Sequence, residues 1–381
     1  MADPFAVQRA DLAGLAERSR LRVLSPRAGV DFASNDYLGL AEGPQLREAA
    51  AQALARGVPP GSGGSRLLRG NHPEHEALEA EAAAFFGAEA ALFLPTGFTA
   101  NSALLATMPQ REDHIFADSL IHASSHEGFR LSRAPHSLFA HNDPQALSDA
   151  IAAWRATGAK GTPWIAVESL YSMDGDFAPL EDLATIAARH DAVLVVDEAH
   201  ATALYGPGGR GCLAALGPRP ANAITLHTCG KGLGVEGALL CGPSVMREFL
   251  VNRARGFIFS TAPAPFAAAM VRAALRISAQ GDDLRADLFE RMELARQTLG
   301  PLGAQCHFGP LGGSPILPLV LGQDARTMAI AAACQAKGFD IRGIRPPTVP
   351  EGTSRLRIVI TRNASADQIT ALGDALQEVL S

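Results

Sequence analysis

Short apolar segments alternate with helical patterns through the middle of the chain. The segments "AALFL", "WIAVE", "AVLVVD" and "AITL" are nearly continuous apolar runs, and amphipathic stretches such as "LEDLATIAARH" separate several of them. Buried strands that alternate with helices are typical of a mostly parallel sheet covered on both faces. The pattern therefore predicts an α/β domain, with strands at 90–94, 114–117, 164–168, 192–197, 223–226 and 237–242.

The last third of the chain has a different order of elements. A long helical pattern at 265–299, broken at "QGDD", is followed by the apolar run "SPILPLVLG", a helix, the run "LRIVIT" and a final helix. Strands and helices in this order indicate a smaller α+β domain. We therefore divide the chain into an N-terminal segment at 1–45, a large domain at 46–275 and a small C-terminal domain at 276–381.

Composition and charge narrow the class of protein. The 381 residues are 47% hydrophobic and 19% charged, which is ordinary for a globular chain. The net charge of −6 and the lack of a basic tract argue against nucleic acid or an anionic membrane as the main partner. The sequence has no secretory signal pattern and no run of about 18 apolar residues. Five scattered cysteines predict free thiols in a reducing cytoplasm, with no disulfide frame and no zinc site.

Polar residues follow four of the predicted strands. "PTGFTAN" follows "AALFL", "SLYSMDGD" follows "WIAVE", "DEAH" begins at the end of "AVLVVD", and "HTCGKG" follows "AITL". Ligands bind beyond the carboxyl ends of parallel strands, so these segments are expected along one edge of the sheet. Together they offer Gly97, Ser172, Asp197, His200, Thr228 and Lys231.

The residues alone leave two interpretations of this set open. Lys231, flanked by glycines, is either a solvated loop lysine or a lysine that forms a Schiff base with an aldehyde. Asp197 is either a helix cap or the partner of a pyridine nitrogen, which it would keep protonated. His200 is either a hydrogen-bonded core residue or a partner of a ring hydroxyl. The second set of roles is the one that pyridoxal phosphate requires.

Two further segments also allow either an ordinary structural role or a role in binding a cofactor. Thr96, Gly97 and Phe98 precede an apolar helix, whose free N–H groups suit a phosphate but also suit a plain strand-to-helix turn. His122 and His126 have i, i+4 spacing, yet the H-E-x-x-H pattern is absent and no third ligand is evident, so no metal site is predicted. A flat imidazole at His122 could instead stack on a flat cofactor.

Nine motifs of the chain are similar to those of a known family. "DFASNDYLGLA", "GSGGSRLLRGNHPEHEALE", "PTGFTAN", "HASSHEG", "SMDGD", "DEAHATALYGPGGRG", "HTCGKGLGVEGA", "IFSTAPAP" and "IRPPTVPEGTSRLRI" occur in this order. From about residue 10 to its end, the chain resembles the α-oxoamine synthases, which are pyridoxal-phosphate enzymes. The resemblance implies a PLP-dependent transferase of fold type I: a large domain with a mostly parallel seven-stranded sheet, and a smaller α+β domain.

The resemblance also implies roles for individual residues. Lys231, His122 and Asp197 would be catalytic, with Lys231 as the Schiff-base lysine. Arg22 of "RSRLR" would face the substrate, although Arg20 is an alternative. The cofactor would be held by Gly97, Phe98, His122, Ser172, Asp197, His200, Thr228, Lys231, Ser260 and Thr261, and the substrate by Arg22, Asn35, Thr348 and Arg357. Because Ser260 and Thr261 would reach the neighbouring subunit's phosphate, the family pattern implies a homodimer.

The segment "IRPPTVP" resembles the family member of the biotin pathway. This likeness implies a decarboxylative condensation of L-alanine with a pimeloyl thioester, carried either by coenzyme A or by an acyl carrier protein. The alternative is a synthase of the same family that uses glycine and makes 5-aminolevulinate or 2-amino-3-ketobutyrate.

Overall fold

The computed structural model describes residues 3–381 and divides them into two compact units. The large unit comprises Asp36–Ser172 and Asp176–Arg285. The small unit comprises the residues up to Asn35, the short segment Met173–Gly175, and Ala286–Ser381. These boundaries differ from those drawn on the sequence at residues 45 and 275. Residues 36–45 fall in the large unit, where Tyr37 and Leu38 are fully buried.

The elements are numbered in chain order. The helices are α1 Ala6–Glu17, α2 Pro44–Ala55, α3 Pro73–Phe86, α4 Gly97–Thr107, α5 Ala123–Leu131, α6 Pro144–Ala156, α7 Leu180–Arg189, α8 Ser244–Arg253, α9 Arg255–Ile258, α10 Pro265–Ala279, α11 Asp282–Leu299, α12 Asp324–Ala336 and α13 Ala366–Leu380. The strands are β1 Val30–Asp31, β2 Ala90–Leu94, β3 His114–Asp118, β4 His136–Phe139, β5 Pro163–Glu168, β6 Val193–Asp197, β7 Ala223–Thr228, β8 Ala238–Gly242, β9 Phe308–Gly309, β10 Gly312–Gly313, β11 Ile316–Gly322, β12 Phe339–Asp340, β13 Arg342–Ile344 and β14 Ser354–Val359.

A seven-stranded sheet organises the large unit. Its strand order is β2-β8-β7-β6-β5-β3-β4, and β8 runs in the direction opposite to the other six strands. The mostly parallel, seven-stranded sheet predicted for fold type I is confirmed. The apolar runs of the sequence mark six of the seven strands. The seventh, β4, lies at the edge of the sheet, and its sequence "HSLF" has no continuous apolar run because three of its four residues are partly or fully exposed.

Apolar burial fixes the sheet between its helices. Every residue of β5 is buried, as expected for a strand with both faces covered. A cluster of buried side chains joins β2, β6, β7 and β8 to the inner face of α4, with Leu94, Val195, Leu226, Leu240 and Leu104 among its members. Burial of a leucine side chain contributes about 1.5–3 kcal/mol. This packing holds the ends of the central strands in fixed positions.

The small unit is built on antiparallel pairing. Strands β11, β14 and β13 form a three-stranded sheet with β14 in the centre, and every residue of β14 is buried. The helices α12 and α13 and the strand "SRLRIV" of β14 appear where the sequence pattern predicts them. All five cysteines are free. Within residues 3–381, no helix has the length and apolar character needed to cross a membrane.

Candidate active site

The ends of β5, β6 and β7 place their last residues side by side. In the parallel register, Glu168 is opposite Asp197, and Asp197 is opposite Leu226, two residues before Thr228 ends β7. The loops that follow these three strands therefore leave the sheet at one edge. The same edge receives the loops after β2 and β3, because both strands run parallel to β7.

Lys231, three residues after β7, lies against a histidine. Its Nζ is 2.7 Å from Nε2 of His200, and Nδ1 of His200 is 2.5 Å from the hydroxyl of Tyr37. His200 and Tyr37 are buried, whereas Lys231 is half-buried. The lysine amine thus lies against a ring that Tyr37 holds in place.

Asp197 is a buried carboxylate, with 6% of its surface exposed. Its Oδ2 accepts a hydrogen bond of 2.7 Å from the Asn101 amide, and its Oδ1 accepts one of 2.9 Å from the N–H of Ala199. A buried carboxylate is costly unless hydrogen bonds compensate it. Two donors therefore orient Asp197 and support its negative charge.

A polar chain connects Asp197 with His122. Asn101, which donates to Asp197, also donates to the hydroxyl of Ser124 at 3.0 Å. That hydroxyl lies 2.8 Å from Nδ1 of His122, whose ring also caps α5 by accepting from the N–H of Ser124. The hydrogen bonds fix the His122 ring, while its outer face remains exposed to solvent. An exposed ring held in this way can stack on a flat ligand.

Glu168 adds a second carboxyl group beside Asp197. Its Oε2 accepts from the N–H of Ser172 at 3.2 Å, and its Oε1 is buried with no hydrogen-bond partner among the described residues. Burial and the neighbouring charge of Asp197 raise the pKa of Glu168 well above its usual range. Burial therefore favours the neutral form of Glu168.

The glycines after Lys231 are required by close packing. A Cβ at Gly232 would lie 2.5 Å from the carbonyl oxygen of Thr202, and a Cβ at Gly234 would lie 2.6 Å from the backbone nitrogen of Ala41. Gly234 also has a φ of +67°, which favours glycine. The glycine-rich sequence around Lys231 thus lets the loop pack tightly against the backbone of the large unit.

The start of α4 provides free backbone donors. Thr96 caps the helix, and its hydroxyl accepts from the N–H of Thr99 at 3.1 Å. The N–H groups of Gly97 and Phe98 lie in the first turn, where no intrahelical acceptor exists. A Cβ at Gly97 would lie 3.3 Å from the hydroxyl oxygen of Thr228. Two N–H groups and one hydroxyl therefore converge at a helix N-terminus, an arrangement that suits a phosphate.

Two predicted cofactor residues are not joined to this cluster. The hydroxyl of Ser260 lies 3.5 Å from the carbonyl oxygen of Thr261, and Thr261 is exposed. Neither side chain contacts the Lys231 cluster within the described chain. The family pattern assigns these residues to a neighbouring subunit's site, so their role stays a prediction.

The four predicted substrate residues are grouped in pairs within the small unit. Arg357, which is 7% exposed on β14, donates to Oδ1 of Asn35 at 3.0 Å. Arg22 donates to the hydroxyl of Thr348 at 3.3 Å. The alternative arginine, Arg20, is instead held by ion pairs of 2.6 Å to Asp324 and to Glu351. Because the Arg20 guanidinium already binds two carboxylates, Arg22 is favoured as the substrate-facing residue.

Comparison with known proteins identifies the family. The model of the aminotransferase class I and II family matches residues 27–376. The chain is 43% identical over 354 residues to the 8-amino-7-oxononanoate synthase of Anaeromyxobacter dehalogenans, covering 93% of this chain and 87% of that protein. It is 44% identical over 357 residues to the enzyme of the same name from Burkholderia mallei, covering 92% and 88%.

The chain belongs to the α-oxoamine synthases within the class I and II aminotransferase family.

Solved structures agree with this assignment. The serine palmitoyltransferase of Sphingomonas wittichii superposes with a TM-score of 0.88 at 26% identity, over 99% of this chain and 98% of that one. The 8-amino-7-oxononanoate synthase of Francisella tularensis superposes with a TM-score of 0.77 at 26% identity, over 92% and 98%. The family and the fold type predicted from the sequence motifs are confirmed.

Sequence reasoning gave no role to Tyr37, Asn101, Ser124 and Glu168. Tyr37 orders His200, while Asn101 and Ser124 link Asp197 to His122. Asn101 had a detectable signal, because it is a polar residue inside the apolar helical pattern "FTANSALLA" and is only 2% exposed. Tyr37 gave none, since 163 residues separate it from His200. In the described part of the chain, no cluster of three metal-ligating side chains is found.

Replacing Asn101 by alanine tests the hydrogen bonds to Asp197. The substitution leaves Oδ2 of a buried carboxylate without its 2.7 Å donor. We expect the free energy of unfolding to fall by about 1–3 kcal/mol, the usual cost of an unsatisfied buried polar group. Chemical denaturation measures the change. The matched control is Asn252→Ala, because Asn252 is exposed and donates only to a backbone carbonyl of its own helix. Equal losses in the two variants would contradict the role given to Asn101.

Proposed function

We propose that the protein is an 8-amino-7-oxononanoate synthase. Such an enzyme condenses L-alanine with a pimeloyl thioester and releases CO2 and the free thiol. The observation that carries the proposal is the arrangement of Lys231, His200 and Asp197 on adjacent strand ends. The name and the 43–44% identity of the curated relatives support the choice of reaction within the family.

The donor set of the large unit fits pyridoxal 5'-phosphate. Lys231 offers an amine for the aldehyde, His200 a ring nitrogen for the hydroxyl, and Asp197 a buried carboxylate for the pyridine nitrogen. Gly97, Phe98 and Thr228 offer phosphate donors, while His122 and Ser172 complete the set. When bound, this cofactor supplies a protonated ring that draws electrons from the Cα of the amino acid.

The residues of the chain then have distinct tasks. Asp197 would hold the proton on the ring nitrogen, and the hydrogen bonds from Asn101 and from the N–H of Ala199 orient its carboxylate. The amine of Lys231 is the base that takes the Cα proton of alanine. Its contact with His200 keeps the amine directed into the site. The indirect link through Asn101 lets Asp197 and His122 maintain a fixed relation to each other.

Substrate binding is assigned to the residues of the small unit. Arg357 would hold the carboxylate of alanine, because a guanidinium can bind a carboxylate through two parallel hydrogen bonds. Asn35 orients Arg357 through the 3.0 Å contact. Arg22 and Thr348 would contact the acyl substrate, and Arg22 is preferred over Arg20 because Arg20 is occupied by two ion pairs.

The assembly and the acyl carrier are further parts of the proposal. We propose a homodimer in which Ser260 and Thr261 complete the partner's phosphate site. Phe259, directly before them, is 73% exposed, and Phe98 at the start of α4 is 51% exposed, so a partner chain would remove two large apolar side chains from water. The pimeloyl group would be carried either by coenzyme A or by an acyl carrier protein. We propose the cytoplasm as the location of the enzyme.

The attachment point of the cofactor is directly testable. We expect the purified protein to be yellow, and borohydride reduction followed by peptide mapping to find the cofactor on Lys231. The other lysines of the chain, Lys160 and Lys337, provide internal controls, since neither is flanked by the described donor set. Attachment at either of them, or a lack of any attachment, would contradict the mechanism.

Substrate preference separates the proposed enzyme from its glycine-using relatives. We expect the highest kcat/KM with L-alanine and a pimeloyl thioester, in competition with glycine and with acetyl and succinyl thioesters. Alanine and glycine differ by one methyl group, so the pocket discriminates by only about 1–3 kcal/mol and some glycine turnover is expected. The preference among acyl thioesters should be stronger. A shorter acyl chain would leave unpaired the polar groups that bind the distal carboxylate of the pimeloyl group. Highest activity with glycine and succinyl thioester would identify a 5-aminolevulinate synthase instead.

A further inference from the structure

A second cluster of charged side chains is built on the loops after β3, β4 and β5. His141, two residues after β4, is hydrogen-bonded at both ring nitrogens. Its Nδ1 lies 2.8 Å from Oδ1 of Asp118, and its Nε2 lies 2.7 Å from Oδ2 of Asp176. The side chains are 24%, 1% and 19% exposed, respectively, so solvent screens these contacts only in part.

The contacts of His141 require a charged ring. A carboxylate only accepts hydrogen bonds, so both ring nitrogens must donate, and only the imidazolium carries two N–H groups. Burial alone would lower the pKa of His141, but the hydrogen bonds to Asp118 and Asp176 raise it to about 10. Burial would likewise raise the pKa of Asp118, yet the bonds from His141 and from backbone amides lower it. His141 is therefore an imidazolium throughout the neutral range.

The next residue, Asn142, strengthens the same bridge. Its N–H donates to Oδ2 of Asp118 at 2.9 Å, and its amide donates to Oδ2 of Asp176 at 2.8 Å and to the carbonyl oxygen of Phe177 at 3.1 Å. It has a φ of +52°, a left-handed conformation that asparagine tolerates better than most residues. Two consecutive residues thus connect the same two loops through five hydrogen bonds.

The other groups around the ring do not compensate its charge. The ring of Tyr171 meets the His141 ring edge-on, with the ring centroids 4.5 Å apart. Glu168 on β5 has a pKa raised by burial and by the charges of Asp197 and Asp118. Burial thus favours the neutral form of Glu168, and the imidazolium is paired with Asp118 and Asp176.

Each of the two carboxylates lies four residues along the chain from a proposed cofactor residue. Asp118 ends β3, four residues before His122, and Asp176 lies four residues after Ser172. We infer that His141 is a positioning residue that, as an imidazolium, fixes the loop of His122 and the loop of Ser172 relative to each other. This inference rests on the proposed function, because it assumes that both loops contact pyridoxal phosphate.

The test compares two histidines of the same segment. In His141→Gln the double ion pair is lost, and we expect the dissociation constant of pyridoxal 5'-phosphate, measured by dialysis of the loaded enzyme at pH 7.5, to rise about tenfold, the factor that corresponds to about 1.4 kcal/mol of binding free energy. His136→Gln is the control, since His136 lies exposed on β4 and has no carboxylate partner among the described residues. We expect its dissociation constant to equal that of the wild type.

The pH dependence of stability provides a second, independent result. Because the folded pKa of His141 lies above the ordinary value of 6.5, its stabilising effect is complete below about pH 6.5 and is lost as the pH rises through about 10. The difference in free energy of unfolding between wild type and His141→Gln should therefore shrink across this window. In an Asp176→Asn background, where one carboxylate is gone, the same decline should occur at lower pH.

Two results would overturn the inference. One is a cofactor dissociation constant of His141→Gln equal to that of His136→Gln. The other is a stability difference that does not change between pH 6.5 and pH 10. A wild-type protein that binds the cofactor but forms no product from alanine and pimeloyl thioester would count against the proposed function alone, since cofactor affinity and stability still measure the effect of His141. If His141→Gln does not fold, Asp176→Asn decides the question, because it removes the carboxylate on Nε2 of His141. The inference predicts a raised cofactor dissociation constant for this variant, and a value equal to that of the wild type would overturn it.

Discussion

Parallel pairing of β5, β6 and β7 is the constraint on which the site depends. The register sets Glu168, Asp197 and Leu226 in one row, and the loops beyond them carry the reactive groups. A slip of one residue would turn each of these side chains to the opposite face of the sheet. The slip would also move buried side chains out of the closely packed positions that they fill on both faces. The core packing of the large unit therefore also determines the geometry of its chemistry.

Burial of charge is the second determinant. Asp197 accepts hydrogen bonds from Asn101 and from the N–H of Ala199, whereas Oε1 of Glu168 has no hydrogen-bond partner among the described residues. Burial and the charge of Asp197 raise the pKa of Glu168. The two hydrogen bonds therefore support a negative charge on Asp197 at the end of β6. A carboxylate in this place can keep a pyridine nitrogen protonated.

Much of this arrangement was predictable from local sequence. The central strands are continuous apolar runs, and the polar residues directly after them, such as Asp197 and Lys231, follow from the rule for parallel sheets. The edge strand β4 was not predictable, because an exposed strand of four residues has no distinctive pattern. Contacts between distant segments, such as Tyr37 with His200, were also not predictable, since no local periodicity encodes them. The carboxylates held by His141 belong to the same class, because three separate loops contribute to the cluster.

The central claim is that Asp197, held at the end of β6, supports the charge that lets alanine lose its Cα proton. The most direct measurement is the rate at which the Cα hydrogen of L-alanine exchanges with solvent deuterium in wild type and in Asp197→Asn. We predict that the variant still binds pyridoxal 5'-phosphate but exchanges at least about a hundredfold more slowly, which corresponds to roughly 2.7 kcal/mol of barrier. Exchange at the wild-type rate in the variant would contradict the account.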